Sequence, residues 1–169
     1  MRVADAIFAR LKQEVDTVFY LPGGGSSFLV DALGQSGLKA VSCLHEQGAG
    51  FAAVGYAQIH GFGVCLTTSG PGATNAVTPC LAAWLDSVPV LFISGQVQVK
   101  WLALPGMRSR GTQEAPTIEI VRPITKMAFL PLEARDVLPD LEVAIAQSRS
   151  NRPGPCWLDV PMDVQAADV

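Results

Sequence analysis

The sequence predicts an α/β three-layer sandwich, a mainly parallel sheet covered by helices on both faces. Helix-like and strand-like segments alternate along the chain with turn residues at the joints, the pattern of strands linked by crossover helices. The strand-like segments run continuously apolar rather than alternating, as strands do when both faces are covered. With 169 residues, 49% of them hydrophobic, the chain can bury one good core and has little left for a second. Residues 1–169 are therefore read as a single domain.

The first helix is expected over residues 2–15, where Val3, Ala6, Ile7, Arg10, Leu11 and Val15 fall near a 3.6-residue spacing. Residues 17–21 follow as a short apolar strand, stopped by Pro22 and three glycines. Further helices are expected at residues 27–33, 48–59, 73–85 and 134–147, with strands between them at 39–44, 63–68, 90–94 and 156–160. Residues 98–114 hold Trp101, Pro105, Gly106, Arg108 and Arg110 in no clear period. That stretch reads as a long surface loop, and loops of such length are often functional. No internal repeat or low-complexity segment interrupts the pattern.

Charged residues make up 16% of the chain, the formal net charge is −3, and the twelve Lys and Arg form no run. Neither nucleic acid nor an anionic membrane is indicated as a partner. Cys43, Cys65, Cys80 and Cys156 sit in apolar stretches without a Cys-x-x-Cys spacing or a nearby His pair, so they read as small hydrophobes in a reducing compartment, with no metal ligands among them. Residues 1–5 mix charge into an amphipathic start, unlike a signal peptide. The longest apolar runs, such as 88–93, are far too short to cross a bilayer. A cytoplasmic location is the expectation.

Three strand ends carry the chemistry, because open α/β sheets bind ligands in the crevice beyond the carboxyl ends of their strands. The first, Pro22-Gly23-Gly24-Gly25, lets backbone approach a ligand closely, though on its own such a cluster is more often a plain strand-to-helix turn. The second, His45-Glu46-Gln47-Gly48-Ala49-Gly50, puts a carboxylate just before a helix of small residues. Glu46 is either a first-turn acid favoured by the helix dipole, or an acid buried among Leu44, Ala49, Phe51 and Ala52 whose proton matters. The heptapeptide from Leu44 to Gly50 alone favours the dipole. The third, Thr68-Ser69-Gly70-Pro71-Gly72-Ala73-Thr74-Asn75, has the hydroxyls and glycines of an anion cradle. It matches neither the P-loop nor the dinucleotide fingerprint.

Taken in order, these segments are joined by Asp86-Ser87-Val88-Pro89-Val90, Gly95-Gln96-Val97, Arg122-Pro123-Ile124-Thr125-Lys126, Pro153-Gly154-Pro155 and Asp159-Val160-Pro161. Together they resemble the pyrimidine-binding, N-terminal domain of thiamine diphosphate-dependent enzymes of the acetolactate synthase and 2-oxo acid decarboxylase group. The resemblance covers essentially the whole chain. It implies that Glu46 hydrogen-bonds ring nitrogen N1′ of the cofactor and promotes the tautomer that removes the C2 proton, a transfer a carboxamide could not make. It implies further that Pro22, Gly23 and Gly24 bring backbone against the pyrimidine, and that Pro71 and Asn75 contact the ring or its wall. Gln96 falls on a position near the reacting carbon and substrate, with a polar strand-end cap as the other reading. His45 either faces the site or packs against the strand end.

Thr112-Gln113-Glu114 stands where the resembled enzymes commonly carry Phe-Gln-Glu, after a longer basic approach through Arg108 and Arg110. These arginines suit a substrate larger or more anionic than pyruvate, and a solvated loop or an interface contact suits them equally. The family's enzymes also carry a central domain and a diphosphate-binding domain. No Gly-Asp-Gly with a downstream asparagine, the family's metal and diphosphate site, occurs here. Thiamine diphosphate would therefore be held at its pyrimidine end, with Mg2+ and diphosphate on a partner chain. The expectation is a split-gene small subunit rather than an excised domain, paired with a diphosphate-binding-domain protein and self-associated as an α2β2 assembly. The reaction would be decarboxylation or carboligation of a 2-oxo acid. The alternative is a non-catalytic regulatory or assembly partner of a full-length relative, a role with no use for Glu46. A flavodoxin-type nucleotide binder shares the architecture and explains none of the motifs.

Overall fold

The computed structural model describes residues 1–169. α1 (Val3–Leu11) leads into β1 (Thr17–Tyr20), and a 3-10 turn at Gly24–Ser26 opens α2 (Ser27–Gln35). β2 (Lys39–Ser42), α3 (Glu46–His60), β3 (Gly63–Thr67), α4 (Pro71–Asn75), α5 (Val77–Asp86) and β4 (Val90–Gln96) follow. After a long loop come α6 (Thr117–Val121), β5 (Met127–Phe129), α7 (Ala134–Arg149), β6 (Cys156–Pro161) and α8 (Met162–Ala166). The six strands form one sheet in the order β2-β1-β3-β4-β6-β5, every pairing parallel.

Helices on both faces bury two separate cores. Ile7, Phe8, Leu11, Leu29, Leu33 and Leu141 pack from α1, α2 and α7 onto one face. Ala49, Ala53, Cys80, Ala83 and Ile118 pack from α3, α5 and α6 onto the other. Successive strand residues point to opposite faces. Leu91, Ile93 and Leu158 accordingly enter the first core, while Val90, Phe92 and Trp157 enter the second. Both positions must be apolar, which is the physical reason that the central strands show no alternation. Phe92 and Trp157, paired across β4 and β6, stack with ring centroids 5.1 Å apart.

The sheet departs from the sequence reading at its edges. The apolar reading of residues 39–44 implies a covered strand, yet β2 is the outermost strand, with Lys39, Ala40 and Ser42 exposed. β5, on the opposite edge, is three residues long, too short to leave a periodic signal. The helix expected over residues 73–85 is two helices. Pro79 lacks an N–H and its ring conflicts with the carbonyl four residues back, that of Asn75, so the helix stops there and restarts at Val77. The first helix ends at Leu11 rather than Val15, although Val15 still reaches the core.

Strand order sets where a ligand fits. The connection after β1 leads outward to β2, and the one after β3 leads the opposite way to β4, so the order reverses between β1 and β3. A crevice opens beyond the carboxyl ends of strands at such a reversal. The turns following β1 and β3 are the Pro22-Gly23-Gly24-Gly25 and Thr68-Ser69-Gly70-Pro71 segments.

Candidate active site

The two turns and the end of β4 are wedged together. The Gly25 N–H donates to Thr68 Oγ1 at 3.1 Å, and a Cβ on Gly95 would overlap the Gly25 carbonyl. Only a residue without a side chain lets these backbones approach so closely. Gln165 of α8 locks the same turn, donating to the Gly25 carbonyl and to the Val160 carbonyl, each at 2.8 Å. Gly23 faces Thr68, whereas Gly24 faces open space. Pro22 and Gly24 are exposed along a shallow groove shared with Ser27, Val30 and Asp31. Pro71, also exposed, is the first residue of α4, where its missing N–H costs nothing.

Glu46 is the first residue of α3 and only 8% exposed. Asn75 Nδ2 donates to Glu46 Oε2 at 2.9 Å, so the asparagine at the end of α4 pins one carboxylate oxygen. Oε1 has no hydrogen bond within the chain and lies above Gly72, 3.2 Å from where a Cβ there would stand. The carboxylate is thus half-tethered and half-open over bare backbone. Its expected apolar surroundings are different from those read off the sequence. Leu44 is 103% exposed and Phe51 46% exposed, so neither shields the acid within this chain; Ala49 is buried beneath it. The buried-acid reading and the dipole reading both fit this placement, since Glu46 is enclosed and sits in the first turn. Thr67 Oγ1, at the end of β3 beside this crevice, is buried with no hydrogen-bond partner in the chain.

The other candidate residues fall elsewhere. His45 is exposed and caps α3, its Nδ1 accepting from the Gln47 N–H at 3.1 Å. Gln96 is 1% exposed and spends its amide inside the protein. Its Nε2 donates to Asp159 Oδ2 at 2.9 Å and to the Ala115 carbonyl at 3.0 Å, and its Oε1 accepts from the Val97 N–H. That bonding favours the strand-end cap over a substrate contact and ties the residue 98–114 loop to the sheet. Arg108 and Arg110 are both exposed on the loop, and Arg110 lies against a cavity with Trp101 while Arg108 does not.

Asp159 is a functional candidate that the sequence reading passed over. It is fully buried in β6, accepts from Ser94 Oγ at 2.6 Å and from Gln96, and burial pushes its carboxyl up to about 7 against the pull of those two donors. Trp157 Nε1 donates to Ser94 Oγ at 2.8 Å and completes the network. The available signal was an acid inside a strand otherwise wholly apolar, an arrangement that is costly unless hydrogen-bonded. No group of three or more His, Cys, Asp and Glu side chains stands together to hold a metal ion, and no helix is long and apolar enough to cross a membrane.

The family model "Thiamine pyrophosphate enzyme, N-terminal TPP binding domain" matches residues 1–120. Acetolactate synthase 2, chloroplastic, of Nicotiana tabacum is 42% identical over 96% of the chain and 24% of its own length. The acetolactate synthase large subunit of Corynebacterium glutamicum is 43% identical over 100% of the chain and 27% of its own. Acetolactate synthase isozyme 2 large subunit of Escherichia coli is 40% identical over 95% and 29%. The chain spans about a quarter of the length of these relatives. With the turns after β1 and β3 at the sheet's switch point and the family model covering most of its residues, the chain belongs to the N-terminal, thiamine diphosphate-binding domain family of thiamine diphosphate-dependent enzymes.

Proposed function

We propose that the chain supplies the pyrimidine-end half of an active site that decarboxylates or carboligates a 2-oxo acid, with diphosphate and Mg2+ held by a partner chain. The observation that carries this reading is the Glu46 carboxylate, enclosed at the start of α3 with Oε2 pinned by Asn75 and Oε1 open above Gly72. The site fits a flat aminopyrimidine: the glycine turns offer bare backbone walls, and the one open acid oxygen offers a partner for a ring nitrogen. When bound, thiamine diphosphate supplies the nucleophilic carbon and the electron sink for the reaction.

The protein's own part is to hold and move a proton at Glu46 Oε1. Asn75 holds Oε2 and leaves Oε1 as the oxygen that would be free to hydrogen-bond a ring nitrogen. Gly23 and Gly70 let Thr68 and the Gln113 carbonyl pack against the turns, and Gln96 ties Ala115, just after the 98–114 loop, to the end of β4. Four unpaired cysteines fit a reducing, cytoplasmic setting for the assembly. An α2β2 assembly would cover Leu44, Phe51, Leu81 and Leu85, which stand exposed near the entrance and on α5.

The test combines the chain with a diphosphate-binding-domain partner, thiamine diphosphate, Mg2+ and a 2-oxo acid, and measures CO2 release. Glu46→Gln keeps the shape and loses the proton, so the rate falls by about 10²–10⁴-fold with cofactor still bound. Full activity in Glu46→Gln overturns the mechanism. Stimulation of a full-length relative that survives the substitution points instead to the regulatory role.

A further inference from the structure

We propose that the cavity between the end of β4 and the residue 98–114 loop recognises a second anionic group on the substrate, making a dianionic 2-oxo acid the preferred class. The inference rests on the reading above and adds the substrate's chemistry to it. The cavity measures about 390 Å3 and is lined by Val97, Gln98, Trp101, Arg110, Thr112 and Met162, with no acid among them. Pockets of this size suit small metabolites.

Its charge comes from Arg110, with Lys100 beside the same indole. The Arg110 guanidinium lies 5.5 Å from the Trp101 ring centroid, and the Lys100 ammonium lies 5.6 Å from the same ring. Four arginines of the chain stand in ion pairs: Arg2 with Asp5 and Asp31, Arg10 with Glu14 and Glu142, Arg135 with Glu133, and Arg149 with Glu14. Neither Lys100 nor Arg110 has such a partner. The one acid of the loop close in sequence, Glu114, is consumed by the backbone, accepting from the N–H groups of Ala103, Arg110 and Gly111. Burial opposes its ionisation, and the three N–H bonds together with the nearby Arg110 charge outweigh burial and hold the carboxyl below the usual range. The Glu114 oxygens are taken up by peptide N–H groups with no direct ion pair to Arg110, whose side chain lines the cavity. Stacking on an indole orients a guanidinium and leaves its N–H edge free for two parallel bonds to a carboxylate, sulfonate or phosphonate.

The loop that lines the cavity packs against the turn that floors the crevice at Glu46. Thr112 lines the cavity, and its neighbour Gln113, at φ +58°, presses its carbonyl into the space a Cβ on Gly70 would occupy. Gly70 begins the turn whose Gly72 lies beneath Glu46 Oε1. Strained backbone of this kind persists where the surroundings demand it, often beside a binding site. β4 is the strand next to β3, so crevice and cavity stand about 5 Å apart per strand crossed.

The test uses the intact assembly and compares kcat/KM for 2-oxoglutarate with that for 2-oxobutanoate. Arg110→Ala should cut the diacid-to-monoacid ratio by about tenfold or more, chiefly through KM, and Arg110→Lys should restore part of it because the charge returns without the fork. Arg135→Ala, on α7 and outside the cavity lining, controls for general charge. An equal loss on both substrates overturns the proposal. So does a loss of thiamine diphosphate affinity with an unchanged ratio, which assigns the cavity to the cofactor's phosphates. If no 2-oxo acid is turned over, the reading of the active site has failed and the pocket is judged separately. Malonate titrated into the assembly should then give a saturable change in Trp101 fluorescence that Arg110→Ala removes, and its absence overturns the anion site.

Discussion

Asp159 is the one carboxylate of the chain with no solvent exposure at all. Trp157 donates to Ser94 Oγ, which obliges the Ser94 hydroxyl to direct its own hydrogen to Asp159 Oδ1, and Gln96 donates to Oδ2. These donors favour the carboxylate, whereas burial favours the neutral acid and wins, lifting the carboxyl to about 7. An unfolded aspartate titrates near 3.9. Between about pH 4 and pH 7 the folded protein therefore holds a proton that the unfolded chain has lost. The stability due to that proton is fully present below about pH 4 and is lost as pH rises to about 7, at no more than about 1.4 kcal/mol per pH unit. Asp159→Asn removes the titration with little change of shape. Urea unfolding across this window should show the stability of the wild type falling relative to the variant as pH rises. Parallel pH profiles for the two proteins would show that Asp159 is charged throughout. Trp157 emission gives a local reading of the same step.

At the scale of elements, the turn after β3 is the most constrained segment of the site. Gly70 has φ +53° and ψ −113°, a conformation that L side chains rarely adopt, and an added Cβ would overlap the Gln113 carbonyl. Gly70→Ala therefore carries both backbone strain and a clash that pushes the loop off the crevice. Its expected cost is about 1–3 kcal/mol, a drop of several degrees in Tm for a domain of this size. Gly24→Ala, with nothing near its Cβ, serves as comparison. Equal melting temperatures for the two variants would show that the turn relaxes. These punctuating residues also explain what could be read in advance. Pro22, Gly70 and Pro71 mark strand ends whatever the tertiary context, so the turns of the site were legible. The break between α4 and α5 was signalled by Pro79 and masked by the apolar run around it. The edge positions of β2 and β5 follow from strand order, which no local pattern encodes. The same holds for the Asn75–Glu46 contact, which joins residues 29 apart. Gln96 was open between two readings for a different reason: a polar residue at a strand end looks alike whether it faces a ligand or a buried aspartate.

The whole molecule has two unlike faces. The side covered by α1, α2 and α7 is laced with ion pairs, among them Arg2 with Asp5 and Arg10 with Glu14 and Glu142. The side covered by α3 and α5 exposes Phe51, Ile59, Leu81, Trp84 and Leu85, with Leu44 at its rim one residue before His45. Between Gln47 and Ile59 α3 carries no charged residue, and between Val77 and Leu85 α5 carries none. In a two-fold contact each residue meets its own copy or its symmetric partner, so a charged patch would repel itself, whereas this face would not. Burying it would also close the approach to Glu46 and Leu44 to water. Under the proposed assembly, Leu81→Asp places two like charges in that contact. The substitution is at a surface position 40% exposed, so the fold should survive with an unchanged circular dichroism spectrum. Sedimentation should show the dimer dissociating at concentrations where the wild type stays associated, with affinity down about tenfold or more. CO2 release by the assembled enzyme should fall in step with the dimer fraction. If sedimentation is unchanged, α3 and α5 are not the self-contact, and their apolar face belongs to the diphosphate-binding partner.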